Sequence, residues 1–291
     1  MQFRCRAVDW FADDVEFQKL RLGRRNVDLV ALLGELARDA YPNLDLRPTL
    51  IELDRLGEKV EAELAQLPTS AGTSERLQVV SRVLYEDEGF TGNEEEYYDP
   101  RNSYLNDVVE RRTGIPISLA IVYMAVAERA GLPMFGVGAP GHFVLVSADA
   151  LTPPGGHSWY VDPFTSGRVM TVEECLALVE SRNGGQFRIS REHLRPASSW
   201  EIGLRVLRNL KACHVMHNDW RAALPVQQRL LLMLPNLATE RRDLGLIYLR
   251  CGEPLRSLQW LEPYAAACPK EEREELDDYL KAARRMAAER N

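Results

Sequence analysis

Gly114-Ile115-Pro116-Ile117-Ser118-Leu119-Ala120 opens a run that stays apolar through Ile121-Val122-Tyr123-Met124-Ala125-Val126-Ala127 and closes at Gly131-Leu132-Pro133. Pro116 fits the first turn of a helix, where a backbone N–H has no intrahelical partner to lose. A helix apolar on every face is a buried one. Strand signals follow: Met134 to Val137, then His142 to Ser147 around the turn Gly138-Ala139-Pro140-Gly141, then Trp159 to Asp162, stopped by Pro163. The stretch reads as a buried helix running into a short antiparallel sheet. It delivers a polar helix start, one histidine and one aspartate to a common place. A nucleophile at a helix N-terminus, a histidine on the next strand and an acid on the strand after is the order of parts of a covalent acyl-transfer site.

Three residues are the candidates for that chemistry. Ser118 is the only hydroxyl at the helix start, where the positive end of the dipole favours an anion, and ordinary first-turn hydrogen bonds would account for it as well. An acid bonded to the His142 ring would orient it and stabilise its cation, and Asp162 is placed to do so. A satisfied core histidine and an aspartate that merely starts an Asp-Pro turn would account for the same two residues. A zinc site from His142, His157 and Asp162 matches no ligand spacing. Neither a metal nor another cofactor is expected.

Upstream, the chain reads as helices. Asn26 can cap a helix carrying Leu29, Leu32, Leu33, Leu36 and Ala37 on one face. A second starts near Pro48 with Leu53, Leu56, Val60 and Leu64, and Pro68 stops it. A third starts near Ser74, with Leu77, Val80, Val83 and Leu84 inward. Phe90 to Tyr98 is a polar loop with aromatic ends, and Glu94, Glu95 and Glu96 read as solvated charge. Asp99-Pro100 then opens a helix carrying Leu105, Val108 and Val109, with Arg111, Arg112 and Gly114 at its end as the dipole and a left-handed cap favour.

Downstream, Arg168 to Met170 reads as a sheet edge, and Thr171-x-x-Glu174 as a capping box for a helix through Val179. Asn183-Gly184-Gly185 and the stretch to Pro196 read as a linker with a strand at Phe187 to Ile189. A second box, Ser198-x-x-Glu201, opens an all-helical tail. Asp219, Leu224, Leu234 and Pro235 recur as Glu253, Leu258, Cys268 and Pro269, each 34 residues on. That is the tetratricopeptide period, giving helix pairs near 200–235 and 237–269 and a charged capping helix from Lys270 to Glu289. Cys213, His214 and His217 read as repeat-helix surface. The chain divides into an N-terminal helical region (1–98), a core (99–197) and the repeats (198–291).

Composition narrows the classes. The 291 residues are 45% hydrophobic, enough for a normal core. A formal charge of −7 argues against a nucleic-acid binder. No apolar run approaches the ~18–20 residues of a membrane helix. The start has no signal-peptide pattern, and the five dispersed cysteines imply no disulfide framework, so a reducing cytoplasm is expected.

Gly114 to Pro133, Pro140-Gly141-His142-Phe143, Val161-Asp162-Pro163-Phe164, Asn102-Ser103-Tyr104-Leu105-Asn106 and Arg112-x-Gly-Ile-Pro-Ile-Ser together resemble the SirB-type proteins of bacteria. The resemblance covers roughly residues 25–270. It implies an α+β fold, mainly helical: a papain- or transglutaminase-like core with a small antiparallel sheet, then an all-α tetratricopeptide-like tail. The family is described as transglutaminase-like, with no settled activity, and His142 and Asp162 match its histidine and aspartate. Active members of the wider group carry Gly-x-Cys at the start of the core helix. Counting back from Gly131-Leu132-Pro133, that cysteine falls at Pro116. Ser118 lies two residues on, about 200° around the helix.

Two functions follow as expectations. One is a non-catalytic module that has lost its cysteine and binds a protein or peptide partner through residues 200–291, with no role for nucleic acid or membrane. The other is a hydrolase or acyltransferase with Ser118 as nucleophile, His142 as general base and Asp162 as orienter.

Overall fold

The computed structural model describes residues 10–148, 158–182 and 189–289. His157 and most of the expected strand at Phe187 lie outside them. The chain forms two compact units. One is Asp14–Val206; the other is Leu207–Asn291 together with Met1–Asp13.

The first unit is built around one helix. It begins with α1 (Val15–Arg21), α2 (Leu29–Ala37), α3 (Arg47–Leu64) and α4 (Thr73–Ser81), which continues as a π-helical turn, Arg82–Asp87. Then come β1 (Thr91–Gly92), a 3-10 turn (Pro100–Asn102), α5 (Leu105–Arg111), β2 (Thr113–Gly114) and α6 (Pro116–Arg129). Eleven of the fourteen residues of α6 are buried, on all faces, as the apolar run requires. It packs against α3, α5, α2 and α4. Full burial of each aliphatic side chain here removes area worth about 1.5–3 kcal/mol. The α3–α6 contact is close because Gly57 has no Cβ: one built there falls 2.5 Å from the Arg129 Cβ.

A four-stranded antiparallel meander follows: β3 (Met134–Val137), β4 (Val144–Ser147), β5 (Tyr160–Asp162) and β6 (Arg168–Met170). Phe135 pairs with Val146, Leu145 with Val161 and Asp162 with Arg168. The sheet is covered twice. Val144, Val146, Tyr160 and Met170 join Cys175 and Val179 of α7 (Val172–Arg182), while β3 and β4 also pack on α6. All four β4 residues are therefore buried, without the polar alternation of a one-sided sheet.

Several local expectations shift. Asp28, not Asn26, caps α2, accepting from the Val30 and Ala31 N–H groups. Asp99 caps only the 3-10 turn, and α5 starts at Leu105. The left-handed residue after α5 is Arg112 (φ 58°), while Gly114 lies in β2. Arg112 tolerates this because its guanidinium donates to the Val109 carbonyl and to Glu52, and lies over the Phe90 ring. The strand after the Pro-Gly turn begins at Val144, so His142 sits in the turn itself.

The second unit is an array of helix hairpins. The later part of α8 (Ser199–Met216) precedes α9 (Trp220–Met233), α10 (Ala238–Arg250), α11 (Pro254–Ala267) and α12 (Lys270–Ala288). The 34-residue repeat registers on the helix ends. Asp219 and Glu253 stand at the N-caps of α9 and α11, and Leu234 and Cys268 at their C-caps. Cys213 and His214 are buried rather than on the repeat surface; His217 alone of the three is exposed. Burial pulls the His214 ring below its ordinary pKa. Among the described residues, no helix is long and apolar enough to cross a membrane.

Candidate functional site

Ser118 lies in the first turn of α6 and is 1% exposed. Its hydroxyl has one proton, and the Asn102 carbonyl stands 2.5 Å away to accept it. The same oxygen accepts the Ile115 N–H at 3.1 Å. It thus joins the 3-10 turn to the α6 start and satisfies a helix-end donor. Gly114 is needed for this packing: a Cβ there would fall 2.7 Å from the Ser118 oxygen. Asn102 is itself buried, its side chain donating to the Glu96 carbonyl and accepting from the Asn93 amide.

His142 is placed by a turn and by an arginine. Gly141 takes φ 70°, a conformation glycine adopts without strain. The His142 N–H then donates to the Ala139 carbonyl at 3.2 Å. Arg205, on the first turns of α8, donates to the His142 carbonyl at 2.9 Å and to the Ala139 carbonyl at 3.3 Å. Its guanidinium also lies 5.5 Å from the centre of the Phe143 ring. One cation therefore fixes both ends of the turn that carries the histidine.

Asp162 closes β5. Its Oδ1 accepts the N–H groups of Phe164 and Thr165 at 2.9 and 3.3 Å, and lies 3.0 Å from His142 Nε2. The contact to the ring has the length of a hydrogen bond but not its alignment: Nε2 has no well-directed partner among the described residues. Oδ2 is likewise unpartnered among them. The aspartate thus both starts the Asp-Pro turn and faces the histidine. Burial pushes its pKa up, and the His142 hydrogen-bonding contact and charge, with the Thr165 and Phe164 bonds, outweigh this and hold it below the usual value.

The surroundings are aromatic and closed from behind. Tyr85, in the π-helical turn, donates to the Pro163 carbonyl at 2.7 Å, and burial holds its hydroxyl well above its ordinary pKa. Phe164 packs onto Gly92, where a Cβ would lie 2.5 Å from the ring, and meets Tyr97 edge-on at 6.3 Å. Tyr97, Tyr98 and Glu94 to Glu96 are exposed. Cys175 is fully buried, its thiol pushed up to about 12 by burial and then by the Asp162 charge, so it supplies no thiolate. Among the described residues no cluster of His, Cys, Asp and Glu could hold a metal ion.

The structure brings His142 and Asp162 together and engages the Ser118 hydroxyl with backbone groups instead. Sequence reasoning missed Arg205 and Tyr85. Both bind loop carbonyls distant in sequence, and a backbone acceptor leaves no residue-type signal.

Two family models match in succession: the transglutaminase-like superfamily over residues 48–208 and the tetratricopeptide repeat over residues 210–288. The chain is 39% identical over 224 residues to a UPF0162 protein of Xylella fastidiosa, covering 75% of each chain. It is 27% identical over 258 residues to the UPF0162 protein YchA of Escherichia coli, covering 89% of this chain and 90% of that one. A shorter match, 38% over 109 residues, covers 36% of this chain and 17% of F-box only protein 21 of Mus musculus. No solved structure matches the chain.

Proposed function

From a chain that belongs to the UPF0162 family, with a transglutaminase-like core and tetratricopeptide repeats, we propose a non-catalytic module that binds a protein segment through its repeats. The SirB-type resemblance is consistent with that domain order and carries no settled activity of its own. The observation that carries this reading is the engagement of the Ser118 hydroxyl with the backbone carbonyls of Asn102 and Ile115, at 2.5 and 3.1 Å, in a residue that is 1% exposed. A serine needs a general base within reach of its own proton to become a nucleophile. With proline at 116 and the buried thiol of Cys175 neutral, His142 and Asp162 are left holding the acyl-transfer geometry without a group to attack. The repeats supply the means of binding, since stacked helix pairs present an extended surface to peptides.

Affinity capture is the test, comparing the full chain, His142→Ala and a chain lacking residues 219–291. Partners retained by His142→Ala and lost with the repeats support the module. Partners that persist without the repeats count against it. A serine-directed fluorophosphonate that labels Ser118 in the folded protein would revive the hydrolase or acyltransferase reading built on Ser118, His142 and Asp162.

A further inference from the structure

The repeats carry a short aromatic segment from the other end of the chain. Trp10 packs against Leu231, Leu244 and Tyr248, in a cluster completed by Leu224 and Trp260. Phe11 lies beneath the guanidinium of Arg229, 3.7 Å from its carbon to the ring centre. Arg229 is 1% exposed, and the ring face gives this buried cation a favourable neighbour. Residues 10–13 form a turn rather than a helix or strand. They lie nearly 200 residues before the repeats in sequence, yet belong to the same compact unit.

The sequence adds a difference in charge between the segment and the helices that precede the last one. Leu207 to Ala267 holds eight lysines and arginines against five acids, a formal +3 within a chain of −7. The aromatic pair is flanked by Asp9, Asp13 and Asp14 with no basic residue among them. Acidic flanks favour encounter with the net-positive stretch Leu207 to Ala267, while the two rings supply rigid contact area at low entropy cost.

With the repeats taken as a peptide-binding surface, we propose that their α9–α10 face is a receptor for an acid-flanked pair of adjacent aromatic residues, and that Trp10-Phe11 is its resident occupant. A partner of that chemistry binds by displacing the chain's own segment. Tethering sets the competition: an intrachain ligand acts at an effective concentration that does not fall with dilution. A partner must outcompete that, so weak and generic aromatic peptides are refused.

The probe is a labelled peptide of residues 7–14, Ala-Val-Asp-Trp-Phe-Ala-Asp-Asp, titrated by anisotropy into the full chain and into the full chain carrying Trp10→Ala and Phe11→Ala. The emptied receptor is expected to bind at least tenfold tighter than the parent, and a peptide with both rings replaced by alanine to bind neither. In a second arm, excess peptide added to the unaltered chain accelerates amide hydrogen exchange at residues 10–13 while residues 229–248 stay protected. This arm needs no variant and decides the matter if the double variant does not fold. A folded variant with no gain in affinity, or exchange at 10–13 unmoved by excess peptide, overturns the assignment even where capture through residues 219–291 persists. Loss of all capture through the repeats while the peptide still binds would instead overturn the function proposed above.

Discussion

Nε2 of His142 stands 3.0 Å from Oδ1 of Asp162, and neither side chain is open to solvent (3% and 0% exposed). The aspartate is charged and buried, held there by the ring and by two loop N–H groups. Asp162→Asn keeps an acceptor for those N–H groups and removes the charge. It should cost about 1.5–3 kcal/mol at neutral pH, the range for hydrogen bonds to charged groups. The pH dependence has a definite sign. The folded-state pKa of Asp162 lies below its ordinary 3.8. Its contribution is therefore complete above that value and is lost as pH falls through the lower folded value. Urea melts should show a constant gap between parent and variant from neutral pH down to about one unit above the ordinary carboxylate pKa, narrowing below it.

Gly114 and Ser118 should be energetically coupled. Ser118→Ala orphans the Asn102 carbonyl and the Ile115 N–H in a buried place, at about 1–3 kcal/mol. Gly114→Ala drives a methyl to 2.7 Å from the Ser118 oxygen and 3.1 Å from Val108, at about 1–3 kcal/mol. The double variant removes the oxygen that the methyl strikes. A double-mutant cycle from denaturant unfolding should fall short of additivity by ~0.5 kcal/mol or more. Simple additivity would mean that the backbone at β2 absorbs the strain instead.

Arg205→Met should loosen the turn before the histidine without emptying its packing volume. The His142 carbonyl loses its donor, the Ala139 carbonyl keeps only the His142 N–H, and Phe143 loses the cation beside its ring. We expect a loss of about 1–3 kcal/mol, faster amide exchange at Ala139 to Phe143 and a shifted His142 ring signal by NMR. Arg205→Lys should recover only part, because an ammonium lacks the planar fork.

In the repeats, Gly245 lets α10 approach α11: a Cβ there falls 2.7 Å from the Leu261 side chain and 3.2 Å from the Trp260 Cβ. Gly245→Val should destabilise the tail by about 1–3 kcal/mol, read as an earlier thermal transition.

Much of the fold was legible because α6 declares itself. An apolar run flanked by Pro116 and Gly131 admits few alternatives to a buried helix, and the meander follows from three short strands with turn residues between them. The repeat was legible from a fixed period alone. What escaped had physical reasons. Asn26 and Asp28 are both good caps, and Asp28, whose own N–H is held by the Glu16 carboxylate, takes the position. A left-handed Arg112 defeats the expectation of glycine because side-chain partners hold it there. Tyr85 reaches Pro163 from a turn with one residue more than an α-helix would allow, and no residue type announces a π-turn. At the candidate site, the histidine and aspartate were visible as residue types, whereas the destination of the Ser118 proton depends on a carbonyl that every residue possesses.

The matched ends of α9 and α11 make length a modular quantity in this chain. An in-frame duplication of residues 219–252 would begin and end on equivalent positions of the repeat, at a helix N-cap. Each copy would meet its neighbour through the faces the present hairpins already use, without a new core being invented. Growth by 34 residues at a time is then a small evolutionary step, and growth by any other number interrupts the stack.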